Sequence, residues 1–366
     1  MKESIKIFDL TKQFKNLSKE INRDVINILR SGQYILGKNV HQLENAFTKF
    51  LKVKYAISCN SGTDALILSL RASKIGKNDE VITTPFTYFA TAEAIALVGA
   101  KPIFVDINPD TYNIDINQIE KHITKKTKAI MPVHIFGQSS DIDKIAIICK
   151  KHKIKLIEDC AQSFGAKKND LYTGTFGDFG CYSFFPTKNL GCAGDGGMIV
   201  TNSKKNMIYL KKLRNHGGLT RNIHEYIGYN SRLDEIQAAV LLTKLKKIKA
   251  FDKKRNIIAK KYKSSIINNK IKLPYQAEGT HHVYNQFTIC VKNRKRFSKY
   301  LENNGIPYGV YYPIPIYKQK ALKSFKYKCY LKNTEKITKE CISLPIYPEL
   351  SISAIDYIVE KINNYK

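Results

Sequence analysis

The sequence predicts an α/β protein built on a mostly parallel sheet, with a smaller α+β domain after it. Between about residues 50 and 205, helical stretches alternate with short apolar runs, which is typical of strands joined by crossover helices. The chain has 366 residues, 43% of them hydrophobic, enough for a large core and a second, smaller one. The apolar runs are EVITTP (80–85), KPIFVDI (101–107), KAIMPVHIFG (128–137), KLIEDC (155–160) and GCYSFF (180–185).

The boundary between the two domains is predicted from a helix. Apolar residues recur at spacings of three and four from Leu233 to Ile248, which indicates one long helix that leaves the first domain. We place the boundary on this helix, so that a large domain covers 1–245 and a small domain covers 246–366.

Several elements are expected within the small domain. NQFTICV (285–291) and YGVYYP (308–313) are expected to be strands. A helix should close at Gly305, and a last helix should begin near Ile352 with Ser351 as its cap. Strands and helices of this kind, without repeats, indicate an α+β domain.

Targeting and cysteine patterns indicate the compartment. The N-terminus has no apolar stretch of signal-peptide length, and no later segment approaches the ~20 apolar residues of a membrane span. The cysteines are scattered, without CxxC pairs or metal-ligand spacing. We therefore expect a soluble, cytoplasmic protein with reduced thiols and no metal site.

The charge of the chain is strongly positive. Lys and Arg exceed Asp and Glu by 61 to 31, giving +30, an excess that suits nucleic acid, a membrane surface or small anionic ligands. Lysine runs such as KKIKAFDKKR (246–255) fall between apolar positions at helical spacing, which places them on solvated helix faces. No aromatic-interleaved basic motif supports nucleic-acid binding. We expect neither nucleic acid nor a membrane as a partner.

One lysine stands apart from the rest because of its context. Lys188 follows an apolar strand in GCYSFFPTKNLGCAGDGGMIVTN (180–202), and small residues surround it. Those small neighbours are expected to leave space for a planar ligand beside the amine. A lysine that forms a Schiff base needs a neutral amine, which burial and nearby positive charge favour. Lys188 is therefore predicted to be a catalytic lysine.

Two upstream segments supply complementary groups. KLIEDC (155–160) ends a predicted strand in Asp159, at the carboxyl edge where α/β sheets bind ligands, and this carboxylate suits a protonated pyridine nitrogen. SGTDAL (61–66) opens a helix predicted to begin at Thr63, where free N–H groups suit a phosphate. Taken singly, an ordinary helix cap, a surface aspartate and a surface lysine explain the same residues.

Together, these three elements resemble the DegT/StrS-type sugar aminotransferases of the pyridoxal 5′-phosphate (PLP) fold-type I superfamily. The resemblance implies an aspartate aminotransferase-like fold. It extends over nearly the whole chain, through SGQYILG (31–37), SGTDAL (61–66), PFTYFATAEAI (85–95), EDCAQSFGA (158–166), SFFPTKNLGCAGDGG (183–197), GYNSRLDEIQAA (228–239) and YYPIPIYKQ (311–319).

The resemblance also implies roles for individual residues. Lys188 would form the Schiff base with PLP, Asp159 would meet the pyridine nitrogen, and Gln162 would contact the ring face or the phenolic oxygen. An obligate homodimer with shared active sites is implied, because one phosphate contact belongs to the neighbouring subunit. The implied phosphate and stacking contacts are the backbone of Gly62 and Thr63, the Ser183 hydroxyl, the Tyr88 ring and Asn230 of the neighbouring subunit. The implied substrate contacts are Gln33, Thr187, Arg232, Tyr311 and Tyr312.

The implied activity is transfer of the amino group of L-glutamate to a nucleotide-linked keto sugar, for the synthesis of surface glycans such as the O-antigen of lipopolysaccharide. A 3-keto hexose on UDP or dTDP is preferred, and a 4-keto sugar nucleotide or a keto-cyclitol is the alternative. Some relatives that act on uronic-acid sugars have histidine where this chain has Ser31, and many relatives have histidine where it has Tyr311. Both a uronate and a neutral deoxy sugar therefore remain open as the acceptor.

Two alternatives compete with transamination, a sugar dehydratase and a non-catalytic binding protein. Relatives that act as sugar dehydratases replace the catalytic lysine with histidine, so Lys188 argues against elimination. A non-catalytic basic binding protein on the same scaffold is supported only by the net charge. Transamination therefore remains the expected chemistry.

Overall fold

The structure, a computed structural model, describes residues 5–327 and 329–366. The strands are β1 Tyr55–Cys59, β2 Glu80–Thr83, β3 Lys101–Phe104, β4 Thr127–Ile130, β5 Lys155–Asp159, β6 Lys167–Lys168, β7 Leu171–Tyr172, β8 Phe179–Ser183, β9 Gly197–Thr201, β10 Ile271–Lys272, β11 Thr280–His281, β12 Phe287–Val291 and β13 Cys341–Leu344. The α-helices are α1 Leu10–Ser31, α2 Lys38–Leu51, α3 Gly62–Ala72, α4 Ala90–Leu97, α5 Ile116–Ile119, α6 Ile142–His152, α7 Lys204–Leu213, α8 Glu235–Leu245, α9 Ile248–Ser265, α10 Arg294–Asn303, α11 Lys332–Glu340 and α12 Ile352–Asn363.

A seven-stranded sheet forms the centre of the large α/β part, in the order β1-β9-β8-β5-β4-β2-β3. The strands from β8 to β3 pair in parallel, whereas β9 pairs antiparallel with both β1 and β8. Each apolar run predicted between residues 80 and 185 overlaps one strand of this sheet. The predicted α/β class with a mostly parallel sheet is confirmed.

Helices cover both faces of this sheet, as a mostly parallel sheet requires. Along β9, Met198 and Val200 pack with α2 and α8, while Ile199 between them packs with α3 and α7 on the opposite face. Burial on both faces explains why these strands appear in the sequence as continuous apolar runs. No helix among the described residues combines the length and apolar character needed to cross a bilayer.

The carboxyl ends of β1, β5 and β8 point to one edge of the sheet, because these three strands run in the same direction. The chain leaves β1 and enters α3 directly, with Ser61 capping the helix by accepting from the Asp64 N–H. A Cβ atom at Gly62 would lie 2.5 Å from the Ser183 Cβ. Only glycine therefore permits α3 to begin this close to the end of β8.

A second core forms around the antiparallel sheet β10-β12-β13 and the helices α9, α10 and α12. The predicted strand at 285–291 is confirmed as β12, and the predicted last helix as α12, with the Ser351 hydroxyl accepting from the Ala354 N–H. The helix expected before Gly305 is α10, which ends at Asn303. The domain boundary near residue 245 stays a prediction.

The single long helix predicted through 233–248 is wrong, because the structure has two helices there. Asp234 caps α8 by accepting from the Gln237 N–H at 2.9 Å, so that Leu233 precedes the helix. The chain then turns between α8 and α9, where the Lys247 N–H bonds the Lys244 carbonyl. Leu233, Leu241 and Ile248 pack in the same core, so the three-to-four spacing continues through the turn, and only later residues of α9 pack against the second core.

The strand predicted over 308–313 is also wrong. Gly309 and Ser343 exchange two backbone hydrogen bonds, of 3.0 and 2.8 Å, but this isolated bridge does not extend. The prolines at 313 and 315 carry no N–H for a ladder. Tyr311 and Tyr312 pack instead on an aromatic cluster beside the central sheet.

Candidate active site

A cavity of about 410 Å³ lies at the carboxyl edge of the central sheet. The start of α3, the end of β5, the loop after β8 and the segment around residue 311 all contribute to its lining. It brings together residues far apart in sequence that were predicted to share one site. These are Gly62, Thr63, Tyr88, Asp159, Gln162, Ser183, Thr187, Lys188, Tyr311 and Tyr312.

Lys188 lies in the loop after β8, partly buried in the cavity wall. Its backbone N–H bonds the Phe185 carbonyl at 2.9 Å, which folds the loop back on itself. Burial lowers the pKa of Lys188 to about 8, and the negative charge of Asp159 opposes that shift. A substantial fraction of the amine is therefore neutral near physiological pH, as a nucleophile or a general base requires.

The glycines around Lys188 do not act as predicted. Gly194, Gly196 and Gly197 do not line the cavity, and neither does Gly191. A Cβ at Gly191 would lie 2.4 Å from the Pro186 carbonyl oxygen, and one at Gly197 would lie 2.2 Å from the Ser61 carbonyl oxygen. These residues allow the backbone to pack closely and so fix the loop that carries Lys188.

Asp159 is the buried carboxylate of the cavity, 4% exposed at the end of β5. Its Oδ2 accepts from the Thr91 hydroxyl at 2.8 Å, and its Oδ1 accepts from the Ala161 N–H at 3.1 Å. The Thr91 proton is committed to Asp159, so Thr87 is the donor in the 3.2 Å bond between the two threonines. Burial raises the pKa of Asp159, while these donors favour its charged form.

Gln162 is held at both ends of its amide. Its Oε1 accepts from the Phe136 N–H at 2.7 Å, and its Nε2 donates to the Tyr312 hydroxyl at 2.5 Å. The Tyr312 ring lies parallel to the Phe136 ring at 4°, with 6.4 Å between centroids. Burial raises the pKa of Tyr312, which keeps the phenol protonated. Tyr312 therefore fixes Gln162 in this structure.

The mouth of the cavity and the end formed by the start of α3 differ in exposure. Tyr88 is 63% exposed, so its ring is available to a ligand at the mouth. At the other end, the first turn of α3 presents backbone N–H groups beside Ser183, whose hydroxyl accepts from the Phe185 N–H at 3.3 Å. A helix N-terminus next to a hydroxyl suits a phosphate group.

Three predicted residues lie outside this cavity. Gln33 lines a separate cavity of about 450 Å³ between α1, α2 and α8. Arg232 donates to the side-chain oxygens of Asn230 at 2.7 Å and Asn215 at 3.1 Å. The cavity of a single chain therefore does not account for the contacts with cofactor or substrate that were predicted for Gln33, Asn230 and Arg232.

The sequence patterns assign no site role to five polar residues of the cavity lining, which are Ser61, Thr87, Thr91, Asp195 and Gln286. Thr91 lies one helical turn after Tyr88 in the motif PFTYFATAEAI, a spacing that could have indicated it. Gln286 immediately precedes β12, and no sequence signal distinguishes it from an ordinary strand residue.

A buried cluster behind Asp159 has residue types that bind metals, His134, Glu158 and Cys160. Glu158 accepts from the N–H groups of Gly174, Phe176 and Gly177 at 2.7 to 2.9 Å, and His134 Nε2 lies 3.1 Å from the same carboxylate. His134 Nδ1 accepts from the Ser140 N–H, so Nε2 carries the proton. These hydrogen bonds hold the strand ends together beneath the cavity.

The donor set of the cavity fits PLP. A lysine with a lowered pKa, a buried carboxylate and a helix N-terminus beside a serine match its aldehyde, its pyridine nitrogen and its phosphate. The exposed ring of Tyr88 would be available to the face of the pyridine ring. These residues would together hold the aldehyde, the ring and the phosphate of that cofactor.

Comparison with known proteins gives a family match over residues 15–363, to the DegT/DnrJ/EryC1/StrS aminotransferase family. Three relatives are each 42% identical to this chain. They are a pleiotropic regulatory protein of Geobacillus stearothermophilus (99% of this chain, 98% of the relative), UDP-N-acetyl-3-dehydro-alpha-D-glucosamine 3-aminotransferase of Acidithiobacillus ferrooxidans (95% and 94%), and dTDP-3-amino-3,6-dideoxy-alpha-D-galactopyranose transaminase of Aneurinibacillus thermoaerophilus (99% and 99%).

Two solved structures share the fold over most of the chain. DesV of S. venezuelae, in complex with a ketimine intermediate, superposes with a TM-score of 0.96 at 33% identity, covering 99% of this chain and 98% of that one. NtdA of Bacillus subtilis, with bound cofactor PMP, has a TM-score of 0.90 at 31% identity, covering 95% and 82%. These matches confirm the expected fold-type I architecture. The chain belongs to the DegT/DnrJ/EryC1/StrS aminotransferase family.

Proposed function

We propose that the protein uses PLP to transfer the amino group of L-glutamate to a 3-keto hexose carried by UDP or dTDP. The observation that carries this proposal is the pairing of Lys188, with its pKa lowered to about 8, and the buried carboxylate of Asp159 in one cavity. The names of two 42%-identical relatives specify amino transfer at position 3 of a sugar on UDP or dTDP, which supports the acceptor.

The cofactor would be held by residues from several elements. Asp159 would accept from the ring nitrogen, Gln162 and Tyr88 would contact the ring, and Lys188 would bind the aldehyde carbon. The backbone of Gly62 and Thr63 and the hydroxyl of Ser183 would hold the phosphate. When bound, PLP supplies an electron sink for the negative charge that develops at the carbon bearing the amino group.

The chain's own residues then control protons. The neutral amine of Lys188 acts as general base toward the Cα–H of L-glutamate and later returns a proton to the sugar carbon. Asp159, fixed by Thr91 and the Ala161 N–H, holds the proton on the ring nitrogen. Because donor and acceptor use the same site in turn, the kinetics are ping-pong.

We also propose a homodimer with shared active sites. Asn230 and Arg232 lie outside the cavity of their own chain, next to a loop that exposes large apolar side chains. Leu219 is 55% exposed, Ile223 59% and Ile227 87%. Apolar side chains this exposed favour burial against a second surface, and a partner chain would place Asn230 near the phosphate.

The proposal includes a cytoplasmic location and a product used in surface glycans such as O-antigen. All eight cysteines are free, which suits a reducing compartment. Among acceptors, a 4-keto sugar nucleotide or a keto-cyclitol is the second candidate. Elimination in place of transamination is disfavoured, because Lys188 occupies the position of the catalytic base.

The experiment that tests this function is a product assay with matched acceptors. Purified protein with PLP and L-glutamate is offered 3-keto and 4-keto hexoses on UDP and on dTDP, and 2-oxoglutarate and amino-sugar nucleotide are quantified. We expect equal amounts of both products with a 3-keto acceptor, and none with Lys188→Ala. Lys253→Ala, which changes an exposed lysine on α9, should react as wild type. Turnover with 4-keto acceptors alone would contradict the proposal.

A further inference from the structure

Gln286 is a buried amide in the wall of the active-site cavity that forms no side-chain hydrogen bond within the described residues. The residue is 8% exposed and lines the cavity that also contains Lys188 and Asp159. Its Oε1 is shielded from solvent and has no partner. Its backbone is fixed, because its N–H donates to the Phe136 carbonyl at 3.3 Å.

A second glutamine in the same cavity, Gln162, has hydrogen-bond partners at both ends of its amide. Gln162 bonds the Phe136 N–H through Oε1 and the Tyr312 hydroxyl through Nε2. Both glutamines are thus attached to Phe136, one through its side chain and the other through its backbone. Buried amides are nearly always hydrogen-bonded in native proteins, so an unmatched one requires a reason. A ligand that completes the bond provides that reason.

The chemistry of an amide oxygen restricts the ligand. It only accepts, so its partner must carry an O–H or N–H group. Carboxylates of L-glutamate and phosphates of a nucleotide have no such hydrogen near neutral pH, and the amine of glutamate is the group that reacts. A hexose carries hydroxyl groups, and an acetamido substituent carries an N–H. The ribose hydroxyls and the base N–H of the nucleotide also donate, but the diphosphate separates them from the reacting sugar carbon, whereas Gln286 shares its cavity with Lys188. The hexose is therefore the part of the substrate whose donors lie near this oxygen.

We propose that Gln286 is a specificity-determining residue for the sugar, accepting a hydrogen bond from a hydroxyl or amide N–H of the hexose ring. This assignment rests on the proposed function. It locates sugar recognition in the part of the cavity lining just before β12, where Gln286 is bonded to the backbone of Phe136. Gln286 then contributes to the second half of the reaction and not to the first.

The test measures the two half-reactions separately in Gln286→Met, which keeps the length of the side chain and removes the amide. Loss of the enzyme's visible absorption band with L-glutamate should keep its wild-type rate. Return of the band with a 3-keto sugar nucleotide should show kcat/KM reduced by about tenfold to a hundredfold, since the variant lacks one buried hydrogen bond. Gln13→Met, at a buried glutamine of α1 that does not line this cavity, is the matched control and should leave both rates unchanged.

A series of acceptors that each lack one hydroxyl or the acetamido group identifies the partner. With wild type, one truncated acceptor should react more slowly than the complete acceptor. With Gln286→Met, that same acceptor should react as fast as the complete one, since the variant already lacks the bond. The melting temperature of Gln286→Met should equal or exceed that of wild type, because no bond inside the protein is lost. Equal losses in both half-reactions, no loss at all, or a lower melting temperature with uniform losses would overturn the assignment. If L-glutamate does not bleach the wild-type band, the proposed function itself fails, and the sugar assignment fails with it.

Discussion

The two walls of the active-site cavity differ in how completely their polar groups are satisfied. On the central-sheet wall, Asp159 and Gln162 have protein partners for both ends of their side chains. On the β12 wall, Gln286 has none within the described residues. Under the proposed function, the cofactor side is built before anything binds, and the sugar side is completed by its ligand.

The difference between the two walls follows from the secondary structure that forms each of them. Asp159 and Ser183 end neighbouring parallel strands, so the sheet register fixes the distance between them. Gln286 lies in the irregular segment that joins β11 to β12, two strands that belong to different sheets. A regular sheet can hold catalytic groups rigidly, whereas a loop segment can vary with the substrate.

The largest effect is expected from the rigid wall, with Asp159→Asn. The amide cannot keep a proton on the ring nitrogen, so kcat should fall about a thousandfold, the scale for loss of a preorganised electrostatic group. Steady-state kinetics on the PLP-saturated protein measure this. Asp170→Asn, at an exposed aspartate, should match wild type. A loss below about tenfold would mean that Asp159 is not the ring-nitrogen partner.

The close approach of α3 to β8 is tested by Gly62→Ala. The new Cβ would lie 2.5 Å from the Ser183 Cβ, so one element must move, at a cost of about 1 to 3 kcal/mol in unfolding free energy. PLP affinity should weaken as well. Gly76→Ala places its Cβ 3.6 Å from the nearest atom, the Val98 carbonyl oxygen, and is the control. Equal denaturation midpoints for the two variants would show that the strand and helix are not held together this tightly.

The contribution of Tyr312 to the rigid wall is tested by Tyr312→Phe. Removal of the hydroxyl leaves the Gln162 amide without one partner, and unfolding free energy should fall by about 1 kcal/mol. Chemical denaturation measures the change. Tyr311→Phe removes a hydroxyl that forms no hydrogen bond within residues 5–327 and 329–366, and it should be neutral for stability. An unchanged unfolding free energy in Tyr312→Phe would show that the hydrogen bond between Gln162 and Tyr312 does not stabilise the protein in solution.

The smallest effect is a shift in pH dependence. The protonated amine of Lys188 cannot attack an aldehyde, so the rate at which PLP reconstitutes the apoprotein should rise with pH and level off above about 8. An unperturbed lysine would level off near 10.5. Asp159→Asn removes the charge that raises the pKa of Lys188, so its midpoint should move to lower pH. Stopped-flow absorbance measures both profiles, and a midpoint near 10.5 would contradict the burial of Lys188.

Much of the cofactor side could be predicted from the sequence, because it depends on the ends of regular elements. Parallel strands end at one edge, so an acidic residue after one apolar run and a lysine after the next must lie near each other. The helix start was placed at Thr63 and lies at Gly62, since Ser61 supplies the cap.

The rest depends on tertiary packing that local patterns do not encode. Apolar spacing from Leu233 to Ile248 is the same for one helix as for two helices with a turn between them, and only Asp234 signals the cap. The alternation around 308–313 looks like a strand, yet one bridge forms and the tyrosines pack elsewhere. Gln286 gains its importance only from the cavity that it faces.

The central claim, that Lys188 holds PLP, is tested most directly by borohydride reduction of the PLP-loaded protein followed by peptide mass spectrometry. Reduction converts a lysine-bound cofactor into a stable secondary amine, so the added mass marks the residue. We predict one modified peptide, the one containing Lys188, and loss of the label after prior incubation with L-glutamate. A label on another lysine, or no label on a protein that binds PLP, would contradict the account.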